Sequence, residues 1–105
     1  MSATIAAQLD AIDVLADELT LLSAELGEEA QLCRSTAASL GAALSGEAGD
    51  RAGAAGSGWA LVLDLLASQT GSLAATLHET VRSYRRTDAI LADRVLEARQ
   101  GTATR

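Results

Sequence analysis

The sequence predicts an all-α fold, an antiparallel hairpin of two long helices in one domain, from three observations. Nearly half of the 105 residues are apolar, mostly Ala, Leu, Val and Ile, and the chain contains no Pro or Phe. Apolar residues recur at helical spacing over two long segments. A glycine-rich segment lies between them, and each glycine costs a helix up to about 1 kcal/mol relative to alanine.

The first helix is predicted over about residues 3–44, with Ser2 as its N-cap. Its seam positions alternate steps of four and three residues without a break, and only Ser23 among them is not apolar. A seven-residue repeat of this length predicts one long helix whose seam faces another helix. The seam consists of Ile5, Leu9, Ile12, Ala16, Leu19, Ser23, Leu26, Ala30, Cys33, Ala37, Leu40 and Leu44.

The turn is predicted at about residues 45–57, because five of the nine glycines fall within residues 45–58. The chain is expected to reverse direction there. Small residues also permit close contact between helices, so the point before Trp59 at which helix resumes stays open.

The second helix is predicted over about residues 58–99, with Trp59 as a core anchor near the turn. Cys33, the single cysteine, is interpreted as a small buried hydrophobe, with an inter-chain disulfide as the alternative. The predicted seam of the second helix consists of Trp59, Leu63, Leu66, Thr70, Leu73, Leu77, Val81, Tyr84, Asp88, Leu91 and Val95.

The net charge of −6 is unevenly distributed. Residues 1–50 carry nine acids and a single base, Arg34, whereas arginines are concentrated after residue 78. An antiparallel pairing therefore predicts that the basic end of the second helix lies beside the acidic start of the first. The overall acidity argues against a nucleic-acid partner. The groups expected to meet are Arg82, Arg85 and Arg86 with Asp10, Asp13, Asp17 and Glu18.

A lone two-helix hairpin has a core one layer thick, which favours a partner that covers more apolar surface. We expect another helical hairpin to complete a four-helix bundle, as a homodimer or a heterodimer. The alternative is that these are scattered exposed apolar residues, which are ordinary on soluble proteins. The partner-binding candidates outside the seam are Val14, Leu15, Leu21, Leu22, Leu61, Leu65 and Ile90.

Catalytic, metal and cofactor sites are not expected. His78 has no Ser, Cys or second His at a useful spacing, so it is interpreted as a solvated or half-packed side chain. The acids of the first helix spread along a solvated face, and the glycine-rich segment contains no Lys and matches no phosphate-binding signature. The sequence therefore predicts a protein that is not an enzyme and needs no cofactor or metal.

The N-terminus carries no basic region typical of a cleavable signal, and acids interrupt its apolar segment. The longest apolar run, "WALVLDLLA", is too short to span a bilayer and contains Asp64. We therefore expect synthesis in the cytoplasm, no stable membrane insertion, and a route other than general secretion if the protein is exported.

Tyr84 is the only tyrosine, and Asp88 follows it by four residues on the same helical face. A hairpin of this size with a Trp near its turn and Tyr-x-x-x-Asp late in its second helix resembles small substrates of the actinobacterial type VII (ESX) secretion system. The resemblance is to the EspC-like and WXG-like proteins and covers nearly the whole chain. It implies that Tyr84 and Asp88 form an export signal, with Arg85 and Arg86 as candidate receptor contacts.

The sequence departs from the WXG pattern, which places Trp-x-Gly in the turn. Here Trp59 is followed by Ala60 and Leu61, and the glycine precedes it as Gly58, which favours the EspC-like branch. Eight arginines with no lysine fit a GC-rich actinobacterial genome.

The resemblance implies a small secreted substrate or export partner, which another helical-hairpin protein and the type VII machinery with its ATPase would bind. The alternative is a cytoplasmic helical chaperone or adaptor that binds a larger protein and is not itself exported. A third hypothesis, a purely structural bundle subunit, predicts that Tyr84 is buried.

Overall fold

The computed structural model describes residues 2–103 and confirms the all-α hairpin. Two helices, α1 (Ala3–Ala43) and α2 (Glu47–Ala103), account for nearly all of these residues, and the described part of the chain contains no strand. The hairpin is a rod of 89 × 17 × 12 Å with a radius of gyration of 24.4 Å. A compact domain of this length would have a radius of gyration of about 13 Å, so the molecule is long and thin.

The ends of α1 agree with the sequence prediction. The Ser2 hydroxyl accepts a hydrogen bond from the Ile5 backbone N–H at 3.1 Å, as expected of the N-cap. At the other end the backbone N–H of Leu44 donates to the carbonyl of Leu40 at 2.9 Å. Leu44 itself adopts extended backbone angles, so the helix stops at Ala43.

The predicted long turn is wrong, because the reversal takes only residues 44–46. Gly46 adopts a positive φ of 73°, a conformation that glycine reaches without steric cost. The rest of the glycine-rich segment belongs to α2. A Cβ added at Gly56 would lie 2.5 Å from Ala37 Cβ, so glycine there allows the helices to approach closely. The packing gained by that approach offsets the low helix propensity of glycine.

The centre of the interface consists of residues spaced seven apart, and all but Leu9 and Val81 at its far end are small. Ser23 belongs to this repeat, and its hydroxyl donates to the carbonyl of Ala67 at 2.6 Å. We call these two sets of residues the inner rows. In α1 the inner row is Leu9, Ala16, Ser23, Ala30 and Ala37, and in α2 it is Gly53, Ala60, Ala67, Ala74 and Val81.

The predicted seam of α1 is confirmed for residues 9–37, but Ile5, Leu40 and Leu44 at its two ends are exposed. The predicted seam of α2 is only half right. Leu63, Thr70, Leu77 and Val81 are half-buried or buried as expected. The large residues at the remaining positions between 59 and 73 are exposed, and the alanine that follows each of them lies in the interface instead. Close packing selects the smallest residue at the contact, whereas sequence periodicity follows the largest. The exposed residues are Trp59 (60%), Leu66 (44%) and Leu73 (51%), and the alanines are Ala60, Ala67 and Ala74.

Helix α2 extends beyond the start of α1. Ser23 lies level with Ala67, so continuing the register in steps of seven places Ser2 level with Asp88. Residues 89–101 are all exposed, and the register carries them past Ala3, the first residue of α1. We call residues 89–103 the overhang, and at about 1.5 Å per residue it is roughly 20 Å long.

Candidate functional site

Tyr84 and Asp88 lie on one continuous helix, one turn apart, where the two-helix part of the rod gives way to the overhang. The Tyr84 side chain is 62% exposed, and Asp88 is half-buried. Asp88 continues the inner row of α2 by one further step of seven, and the register places it beside the N-terminal turn of α1. Asp88 can occupy a seam position because the contact between the two helices ends at this point.

The two arginines that follow Tyr84 differ in their surroundings. Arg85 reaches across to α1, where its Nη2 lies 2.5 Å from Asp10 Oδ1 and its Nη1 lies 3.2 Å from Asp13 Oδ2. Arg86 is exposed. Arg85 therefore ties the Tyr84 turn to α1, which leaves Arg86 as the better placed of the two candidate receptor contacts.

His78 is held between two carboxylates of α1, which fits the prediction of a half-packed side chain. Its Nδ1 lies 3.0 Å from Asp13 Oδ1, and its Nε2 lies 3.2 Å from Asp17 Oδ1. The hydrogen bond with His78 lowers the pKa of the Asp13 carboxyl below its ordinary value, and Arg85 acts in the same direction. The predicted meeting of the acidic start of α1 with the basic part of α2 is thus confirmed for Arg85, whereas Arg82 pairs with Glu79 of its own helix at 3.3 Å.

The side-chain contacts that Asp10, Asp13 and Asp64 make with the other helix lie on one side of the inner rows. Asp13 and Asp10 meet His78 and Arg85 there, and farther along the same side Arg34 pairs with Asp64. We call this side the polar face.

The opposite side, which we call the apolar face, carries the larger residues. Next to the inner rows lie half-buried side chains of both helices, and outside them lie exposed ones. The hairpin is therefore a ribbon with one polar and one apolar side. The half-buried members are Ile12, Leu19, Leu26, Cys33, Leu63 and Leu77, and the exposed members are Leu15, Leu22, Leu32, Trp59, Val62, Leu66 and Leu73.

All seven partner-binding candidates from the sequence are exposed, but they do not form one surface. Leu15 and Leu22 belong to the apolar face, where the register sets Leu15 level with Leu73 and Leu22 level with Leu66. The other five lie on the outer sides of the helices or in the overhang. These five are Val14 (56%), Leu21 (65%), Leu61 (68%), Leu65 (58%) and Ile90 (46%).

The predicted role of Trp59 as a core anchor near the turn is wrong. Its side chain is 60% exposed on the apolar face, and α2 has already run for three turns before it. Glycines and alanines take the contact with α1 in those turns, because a large side chain would not fit between helices this close. Nearby, Cys33 is a half-buried free thiol that lines a groove of about 280 Å³ with Leu40 and Gly56.

Within the described residues, no group of three or more His, Cys, Asp or Glu side chains could hold a metal ion. By length and composition alone, α2 contains one stretch apolar enough to cross a membrane, of which 11% is buried in the hairpin. This is weak evidence for a span, because an apolar helix that packs against protein meets the same test.

No protein-family model, curated protein or solved structure matches the chain. The resemblance to type VII secretion substrates therefore rests on the sequence features alone.

Sequence reasoning missed two features of this region. The first is the clamp of His78 between Asp13 and Asp17, which the antiparallel register could have indicated, since His78 lies between Ala74 and Val81 opposite those acids. The second is the exposure of Trp59, which the sequence could not indicate because an isolated aromatic residue fits a buried position equally well.

Proposed function

We propose that this protein is a small substrate or export partner of a type VII (ESX) secretion system, exported as a folded helical hairpin together with another helical protein. Tyr84 and Asp88 would form the export signal that the secretion ATPase or an associated component reads. The protein would be made in the cytoplasm and secreted or displayed at the cell surface by a route other than general secretion.

The observation that carries the proposal is the exposure of Tyr84, 62%, on an intact helix one turn before Asp88. A flat ring with a polar tip beside a carboxylate can be gripped by a receptor groove without unfolding of the helix. The third hypothesis, a purely structural subunit, required a buried Tyr84, and that expectation is wrong.

Export is the direct test. Tyr84→Ala and Asp88→Ala should each abolish appearance of the protein outside the cell while its amount inside stays the same. The matched control is Asp93→Ala, which removes an acid from the exposed part of the same helix at a different spacing from Tyr84. Circular dichroism should show that all three variants remain helical, because none of the three side chains is fully buried.

Unchanged export of both signal variants would reject the targeting role. Recovery of the protein only in cells, bound to a cytosolic protein, would favour the alternative function of a chaperone or adaptor that is not exported. The exposed apolar face supports a binding role under either function.

A further inference from the structure

We infer, resting on the partner half of the proposed function, that the apolar face binds a different helical protein whose leucine-rich surface is bordered by lysine or arginine, and not a second copy of this chain. The first support is the continuity of the face. Leu15, Leu22, Leu66 and Leu73 lie in two facing lines, one on each helix, and each is more than 40% exposed. Contiguous apolar surface of this kind is a mark of protein interfaces.

The second support is the charge along the edge of this face. Glu18 and Glu25 border it on the α1 side, and both are exposed. Glu29, also exposed, continues the line of Leu15 and Leu22 by one further step of seven. Glu29 also lines the groove that contains Leu32 and Cys33, and Leu32 stands seven residues after Glu25, in the same line along α1. The edge that a partner must approach is therefore acidic.

The arginines of the hairpin lie elsewhere. Arg34 and Arg85 belong to the polar face, where they pair with acids of the other helix. Arg51 pairs with Glu47, four residues before it, on the outside of α2. The lines of residues that make up the apolar face contain no arginine from the start of α1 as far as Tyr84, and the chain has no lysine.

A second copy would therefore bring three more glutamates to the interface, and the part of its own apolar face before Tyr84 has no base to meet them. Each copy also carries a net charge of −6, so self-association adds repulsion between whole molecules. The same edge would repel the anionic headgroups of a membrane. Charge complementarity instead selects a helical partner with basic residues opposite Glu18, Glu25 and Glu29.

The test uses the intact chain and two synthetic helical hairpins without Trp, identical in their leucine face and bordered by either Lys or Glu. Trp59 is the only tryptophan and lies on the apolar face, so its emission reports directly whether the face is covered. The Lys-bordered hairpin should shift this emission to shorter wavelength and bind about tenfold more tightly than the Glu-bordered one. Raising the salt concentration should reduce that preference.

Adjacent leucines provide matched variants for the face. Leu66→Gln, on the apolar face, should weaken binding of the Lys-bordered hairpin about tenfold. Leu65→Gln, at a residue that is more exposed but lies on the outer side of α2, should leave binding within about twofold. Leu22→Gln tests the same face from α1. Replacing Glu18, Glu25 and Glu29 together with Gln should abolish the preference for Lys over Glu.

Equal binding of the two hairpins, or of neither, would overturn the inference. So would a homodimer of the unmixed chain that covers Trp59 at micromolar concentration, or a Trp59 shift produced by anionic lipid vesicles but not by the Lys-bordered hairpin. Failure of the export signal is a separate result, because Asp88 continues the inner row of α2, outside the apolar face, and Asp88→Ala should leave hairpin binding unchanged.

Discussion

Gly56 and Gly58 are two residues apart in α2, yet they have opposite surroundings. A Cβ at Gly56 would press against Ala37 at 2.5 Å, whereas a Cβ at Gly58 would meet nothing within 4 Å. Gly58→Ala should therefore raise stability by about 0.5–1 kcal/mol through helix propensity alone. Gly56→Ala should lower it by about 1 kcal/mol, because overpacking outweighs the same gain in propensity.

Thermal and urea unfolding of the two variants would measure this difference, and each serves as the control for the other. If Gly56→Ala proved as stabilising as Gly58→Ala, the helices would have to lie farther apart at Gly56 than the structure places them.

The Asp13 carboxylate makes stability depend on pH. Its pKa is lowered in the folded state by the hydrogen bond with His78, so its contribution is present above the ordinary value of 3.8 and is lost as pH falls through the lower folded value. Asp13→Asn should therefore lower the melting temperature at pH 7 but match the parent chain once the pH lies below the lowered pKa of Asp13 in the folded state. Asp93→Asn, in the overhang, removes one charge without touching this cluster and should melt like the parent at pH 7.

A constant difference between Asp13→Asn and the parent from pH 7 to pH 2 would contradict the linkage. The measurement is a series of melting curves followed by circular dichroism across that range.

At the scale of the elements, the overhang should be far less stable than the paired part of α2. An isolated helical segment of fewer than about fifteen residues is marginal in water, and residues 89–101 are all exposed and extend past the start of α1. Hydrogen exchange followed by mass spectrometry should find these amides fast-exchanging, and those of residues 60–81 protected up to global unfolding. Equal protection in both stretches would mean that the overhang is covered in solution.

The sequence was sufficient for the existence and direction of both helices, since their periodic segments are long and each has a clear start or end. It was also sufficient for the seam of α1, where Leu9, Ile12, Leu19 and Leu26 mark the line. The α2 residues that face α1 could not be predicted from the size of their side chains. Close packing places Ala60 and Ala67 in the interface in place of the larger residues before them. The sequence was sufficient to show that Tyr84 and Asp88 share one helical face. Their exposure depends on where α1 begins, and no local pattern around Tyr84 predicts that position.

The glycine-rich segment failed as a turn prediction for a related reason. Helix propensity counts the cost of each glycine but not the packing that its missing side chain permits. Gly56 lies where Ala37 leaves no room for a methyl group, so the neighbouring helix decides its conformation.

For the molecule as a whole, the rod shape gives a simple solution test. Small-angle scattering of the chain alone should give a radius of gyration near 24 Å and a longest dimension near 89 Å. A radius close to the value of about 13 Å expected for a compact domain would show that the hairpin folds on itself. A dimension well beyond 89 Å would show end-to-end association through the overhang.

The three-residue turn at Gly46 has a practical consequence for anyone who labels this protein. It returns the chain alongside its own beginning, so a fluorescent reporter or affinity handle attached before Ser2 would crowd the tyrosine that a receptor must reach, and one attached after Ala103 would load the unsupported helix beside it. A short insertion at Gly46 would sit at the opposite pole of the rod, tens of ångströms from that tyrosine, and is the position of choice for tracking export without obstructing it.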